Sequence, residues 1–465
     1  MSRAVKKLLG IPHQGNQVGR RRGLSLESLE DRRMFAGDSV EAVLEDYGTE
    51  VTDEWFASEA VWQVGAVDHA IGLFSHPPAM PGELPVLHSN LGASRTIYLN
   101  FTGNKVAEEW NTERGDLSGL VTYAFDTDGD PSQFSVNEQY MIRQIWEIVA
   151  EDYAPFDVDV TTDYAGPFGN GQALNVAIGG TDRDQLLSTG IARADGFSNF
   201  STLPSVVVTT NVRYQMAYSA ATPELKSRGL YDRDLGTSEL KAQKDEIIRR
   251  YMDLVEWETM VAIGNTVSHE SGHAFGLVHH ENFVEGTPHT EYSVGTVTWT
   301  PIMGSNLSTD RHTWSYPDVT FQDQLEVLAD DLGARTDDHP DAYATPLIAA
   351  DSGLLFEQSG IITTMDDADA FSFRVQYDGI YHVAVNVPQF GNLDSRFELY
   401  SPGDLVGAGN NFDQLSETGQ FLLEAGKDYL LVVKSNGVYG DLGRYTVSVT
   451  WPILETGPLA EIPLI

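Results

Sequence analysis

The chain has 465 residues, with 29 Lys+Arg against 68 Asp+Glu, no cysteine and a formal net charge of -39. That length allows two or three domains with a core each, while the acidity excludes binding to nucleic acid or anionic membrane through bulk charge. The lack of cysteine excludes disulfides and thiolate metal ligands, and no stretch approaches the roughly 18 apolar residues of a membrane span.

The first 33 residues hold eight of the basic residues. Arg3, Lys6 and Lys7 are followed only by Leu8 to Pro12, an apolar run too short for the core of an ordinary secretory signal. A second basic cluster, Arg20-Arg21-Arg22, precedes Leu24-Ser25-Leu26-Glu27-Ser28-Leu29-Glu30-Asp31-Arg32-Arg33-Met34-Phe35-Ala36. This segment resembles the LEPR-XLL element of bacterial exported and surface proteins, which implies that 1–38 is an export element and the mature chain extracellular or at the cell surface. Phe35-Ala36-Gly37-Asp38 also matches the FxGD motif of astacin-like propeptides, in which an aspartate holds the enzyme latent, but the export element accounts for the same residues. Residues 39–86 are acidic and end in a proline-rich run from Pro77 to Pro85, the texture of a pro-region or linker.

A folded unit is expected over 87–340. Arg95 to Phe101 alternates as a half-buried strand should. Asp126-Thr127-Asp128-Gly129-Asp130 suggests a turn or a calcium loop, yet it fails the EF-hand pattern at Pro131 and Asn137. Ser135-Val136-Asn137-Glu138 is a capping box, and Ile142, Ile145, Trp146 and Val149 then recur at helical spacing to about Asp152. Asp157 to Thr162, Ala173 to Ile178 and Val206 to Thr210 read as further strands. Residues 213–258 form an insertion, helical near Lys244 to Arg250, that either decorates the surface or shapes access to a cleft.

The chemistry lies in His269-Glu270-Ser271-Gly272-His273-Ala274-Phe275-Gly276-Leu277-Val278-His279, which fills every fixed position of the pattern HExxHxxGxxH. On a helix His269 and His273 share a face one turn apart, so both imidazoles reach one metal ion. Glu270 sits about 100° round the helix, beside that face, where a general base acting on water belongs. Gly276 supplies a positive φ that ends the helix and swings His279 back as third ligand, with His280 as the competing donor. Three histidines and one open position make a catalytic zinc arrangement rather than a closed structural one.

This motif is similar to that of the metzincin zinc endopeptidases, and Met303 in Thr300-Pro301-Ile302-Met303-Gly304 resembles their Met-turn, an apolar floor beneath the zinc. Ser305 stands where astacin-like and serralysin-like members carry tyrosine, so the resemblance points to the four-coordinate reprolysin-like or matrixin-like branches. The order of strands and helices, and the segment Arg143 to Thr162, resemble bacterial secreted members of the group.

Beyond Pro340 the texture changes to short alternating strands: Phe371, Phe373 and Val375; Tyr381, Val383 and Val385; Tyr429, Leu431 and Val433; Tyr445, Val447 and Val449. Asp366 to Phe371, with Gly443 to Val447, resembles the bacterial pre-peptidase C-terminal (PPC) domain over 345–452, leaving a tail at 453–465.

The expected fold is therefore an α+β metzincin-like catalytic domain, a twisted mixed sheet with two main helices, followed by an all-β sandwich. The expected function is a secreted zinc-dependent endopeptidase, monomeric, acting on protein or peptide substrates. It would hold one catalytic Zn2+ on His269, His273 and His279, with Glu270 as general base, Gly276 and Met303 supporting the site, and calcium as a possible second ion. Two other readings stand beside it: a catalytically silent zinc-bearing adhesion or matrix protein, and a zinc hydrolase of a non-peptide bond.

Overall fold

The computed structural model describes residues 80–451, except 81, 106–109, 113–114, 167–168, 181–188, 200–203, 232–234, 281–292, 294, 297, 305–310, 316–321, 342–343, 350–354 and 412–413. The export-element and latency readings, and Ser305, lie outside the described residues. The protein is mixed α/β in its first part and β-rich in its C-terminal part.

The first part is built on a five-stranded sheet of β1 (Arg95–Asn100), β2 (Val158–Thr161), β3 (Ala173–Gly179), β4 (Gly190–Ala192) and β5 (Val206–Thr209), in the order β2-β1-β3-β5-β4. The first four strands in that order are parallel, and β4 runs antiparallel to β5 at the edge. Parallel strands require covered faces, and β3 is buried at all seven positions. The alternation of β1 predicts a half-buried strand, but Tyr98 and Asn100 are buried along with Ile97 and Leu99. The reason is its place inside the sheet, between β2 and β3.

Two long helices pack on this sheet, α1 (Val136–Asp152) against β2 and, in the C-terminal half of the unit, α4 (Glu256–Ala274) against β3, β4 and β5. The capping box is formed: Ser135 accepts from the Glu138 amide, and the Glu138 side chain accepts from the Ser135 amide. Between β5 and α4 the expected insertion is two helices, α2 (Asn211–Ser227) and α3 (Ser238–Leu254), packed on each other and on α4. Covered by the sheet, α1 and α2, α4 is buried almost all round from Thr259 to Gly272. Downstream come a parallel two-strand ribbon, β6 (Thr300–Pro301) with β7 (His312–Thr313), and α5 (Gln324–Leu332).

The C-terminal part has two five-stranded sheets. One runs β8 (Thr345–Pro346), β11 (Ala368–Arg374), β16 (Asp428–Ser435), β13 (Ser395–Ser401), β14 (Asp404–Gly409). The other runs β9 (Ile348–Ala349), β10 (Leu355–Ile362), β17 (Gly443–Thr450), β12 (Gly379–Asn386), β15 (Glu417–Leu423). Pairing is antiparallel apart from β8 with β11. Both sheets contribute to one core of Phe371, Tyr381, Val383, Leu431, Tyr445 and Val447 among others, with the alternation expected of strands that face a core on one side. This architecture is compatible with a β-sandwich.

Candidate metal centre

His269, His273 and His279 converge. The His269 and His273 rings lie 4.9 Å apart, and the His279 ring is 5.4 Å from the first and 4.7 Å from the second. One candidate ligand atom of each lies within 4.8 Å of the other two. The first two sit one turn apart on α4, as their spacing requires. Phe275 closes the helix, and Gly276 at φ +87° reverses the chain. A side chain is rarely tolerated at that φ, and the reversal is what returns His279 to the helix face.

The outer ring nitrogens set the tautomers. His269 Nδ1 donates to the Ile302 carbonyl at 2.8 Å, and His273 Nδ1 donates to the Leu277 carbonyl at 2.8 Å. Carbonyls only accept, so each Nδ1 carries the proton and each Nε2 offers its lone pair. The His273 and His279 Nε2 atoms face each other at 3.0 Å. Two ligands of a tetrahedral zinc, each at 2.0–2.1 Å, would stand about 3.4 Å apart. The donor set, its tautomers and its spacing fit a zinc ion.

Met303 is wholly buried, and a Cβ placed on Gly272 would come within 2.6 Å of its sulfur. Its thioether thus packs directly under the helical turn that carries His269 and His273. The segment that carries Met303 also supplies the Ile302 carbonyl to His269, so it lies under the helical turn and orients the first imidazole. His280, the competing ligand, is engaged elsewhere: its amide donates to the Met303 carbonyl at 2.7 Å, and its Nδ1 lies 3.0 Å from Ser315 Oγ.

Glu270 is 3 % exposed and faces the edge strand. A Cβ on Gly190, the first residue of β4, would fall 2.6 Å from Glu270 Cγ and 2.8 Å from its Oε1. Only a glycine lets β4 come this close to the carboxylate. Sequence reasoning missed this residue, because a three-residue strand is too short to show a period. Among the described residues no strand pairs with the outer edge of β4.

Two acidic groups could also hold a cation. Asp126, Asp128 and Glu138 are close together, and each also accepts from the local backbone. Asp126 Oδ1 accepts from the Gly129 amide at 2.7 Å, Asp128 Oδ1 from the Asp130 amide at 3.0 Å, and Glu138 Oε1 from the Thr127 amide at 2.6 Å. The second group is Asp337, Asp367 and Asp369 at the start of the β-rich part. Asp369 is fully buried, with Oδ2 taking the Tyr445 hydroxyl and Oδ1 without a hydrogen-bond partner. Burial raises its carboxyl to about 9 against the pull of that hydroxyl. A hard cation such as calcium would have to displace that proton before Asp369 could serve it as a ligand.

No protein-family model matches the chain, and no curated protein does. Solved structures do resemble parts of it. The pre-peptidase C-terminal domain of a Bacillus anthracis collagenase is 18 % identical, covering 24 % of this chain and 100 % of that one at a TM-score of 0.20. Two periplasmic inhibitors of g-type lysozyme follow. PliG of Aeromonas hydrophila is 17 % identical over 23 % of this chain and 94 % of its own, at a TM-score of 0.19. PliG of Salmonella Typhimurium is 22 % identical over 23 % of this chain and 96 % of its own, at 0.18. At these scores the likenesses carry no weight for function.

Proposed function

We propose that the chain is a secreted zinc-dependent endopeptidase of metzincin type, with a C-terminal β-sandwich of PPC type. The observation that carries this reading is the convergence of His269, His273 and His279, with Glu270 next to His269 on the same buried helix. Bound there, zinc would supply Lewis acidity, drawing a water's pKa toward neutrality and polarising a carbonyl. Glu270 takes the proton of the attacking water and passes it to the leaving amine nitrogen. Its burial beside β4 shields it from competing water. Met303 and Gly276 support the ligands and take no part in the chemistry.

The edge of β4 favours a peptide over a non-peptide substrate. An extended peptide can add to that edge by backbone hydrogen bonds, and Gly190 places the edge within contact of Glu270. A substrate bound there would present its carbonyls next to the proton-transfer group. Export to the outside of the cell follows from the resemblance of the N-terminal segment.

Glu270→Gln tests the assignment. The amide keeps the shape but cannot take a proton, so the variant should bind zinc as the wild type does and lose turnover by at least about a hundredfold. Appreciable peptide hydrolysis by a zinc-loaded Glu270→Gln protein would sink the role.

A further inference from the structure

The described residues of the β-rich part do not merely follow the first part; they reach into it. Arg444, 4 % exposed at the start of β17, donates to the Ala150 carbonyl at 2.8 Å and to the wholly buried Glu151 at 2.9 Å, at the end of α1. Asn392 Nδ2 donates to Asp152 Oδ1 at 2.7 Å, and Phe390 stacks on Trp257 of α4 at 5.5 Å. Buried polar contacts of this kind are costly unless their geometry is kept, so they fix one docking pose.

A further set of contacts leads from the β-rich part to a ligand. Arg311 Nη2 donates to the Asn392 carbonyl at 2.9 Å and pairs with Asp441, which is 2 % exposed. Gly440 lies so close to the ribbon that a Cβ there would stand 2.0 Å from the Trp314 carbonyl. The Arg311 carbonyl accepts from the Thr300 amide at 3.2 Å, and the Thr313 carbonyl from the Ile302 amide at 3.0 Å. These bonds hold the segment just after β6, where the Ile302 carbonyl accepts a hydrogen bond from His269 Nδ1. Trp314, next along, donates its indole N–H to the Asp152 carbonyl.

We infer that Asp441 is a positioning residue of the metal centre: together with the main-chain carbonyl of Asn392 it holds Arg311, Arg311 fixes the β6–β7 ribbon, and the ribbon aims His269. The inference rests on the zinc reading above. It makes the C-terminal sandwich a working part of the site, and it predicts that loosening its contact with the ribbon weakens metal binding.

The test uses the full chain. Zinc affinity is measured by competition with a chelator, and the visible spectrum of the cobalt-substituted protein reports the ligand field. Partners that orient a ligating histidine are worth ten- to a hundredfold in metal affinity. One step further out, Asp441→Ala should weaken zinc about tenfold and alter the cobalt spectrum. Asp441→Asn, which still accepts from Arg311, should recover most of the loss. Asp428→Ala removes the exposed Arg374–Asp428 pair of the same part and should change neither readout. Should Asp441→Ala fail to fold, Arg311→Gln severs the same contact from the other side and is expected to give the same loss. Wild-type zinc affinity and cobalt spectrum in a folded Asp441→Ala or Arg311→Gln protein would overturn the inference while leaving the zinc centre standing. A wild-type chain that takes up no zinc would overturn both.

Discussion

At the scale of single residues the site divides into donors and the groups that aim them. The imidazoles are held by carbonyls of Ile302 and Leu277, so tautomer and orientation are set by backbone that lies outside the helix. Glu270 packs so near Gly190 that an added Cβ there would fall 2.6 Å from its Cγ. Gly190→Ala should therefore move the Glu270 carboxylate without touching a ligand. A misplacement of about 1 Å can cost about a hundredfold in rate, so turnover is expected to fall at least tenfold while zinc content stays at the wild-type level. Undiminished turnover in Gly190→Ala would show that the edge strand can yield and that Glu270 is not fixed by it.

At the scale of elements, much of what builds the site was legible before any coordinates. The capping box at Ser135 and Glu138, the helical spacing through Val149 and the positive φ at Gly276 are local signals, and each appears in the structure. The convergence of His269 with His273 is also local, because a helix fixes it. What sequence did not show depends on contacts distant along the chain. The edge position of β4, the first helix of the insertion (α2), α5, and the burial of Tyr98 and Asn100 come from neighbours that no window of ten or fifteen residues contains. The capping box permits a direct check. Ser135→Ala removes the acceptor for the Glu138 amide and should cost about 1 kcal/mol, read as a shift in the denaturant midpoint. An unchanged midpoint would mean that tertiary packing alone sets the start of α1.

At the scale of the whole molecule, an acidic chain buries several carboxyls without full compensation. Burial raises Asp441 to about 6 against the pull of Arg311, and Asp152 to about 7 against that of Ser268 and Asn392. Asp369 stands at about 9. Each holds its proton more tightly folded than unfolded, where it titrates near 4. Below pH 4 both states are protonated and nothing is gained or lost. From about pH 4 up to each folded value, the unfolded chain has released a proton that the folded chain keeps, so stability falls as pH rises. Metal-stripped protein should melt at a higher temperature at pH 5 than at pH 8. The reverse order would mean that these acids are charged in the fold and better paired than their burial implies. The same scale shows why the two parts belong together: Leu325 of α5 packs against both hydrophobic cores, and Phe390 of the β-rich part lies within the core of the first.

The central claim is a zinc ion on three histidines that cleaves peptide bonds. Its most direct test is zinc content and casein hydrolysis measured on one preparation of the full chain, with and without a chelator. One zinc per chain and cleavage that stops with the chelator and returns with zinc is the expected result. Stoichiometric zinc with no cleavage of any protein or peptide would contradict the peptidase reading, and no zinc at all would contradict the metal centre itself.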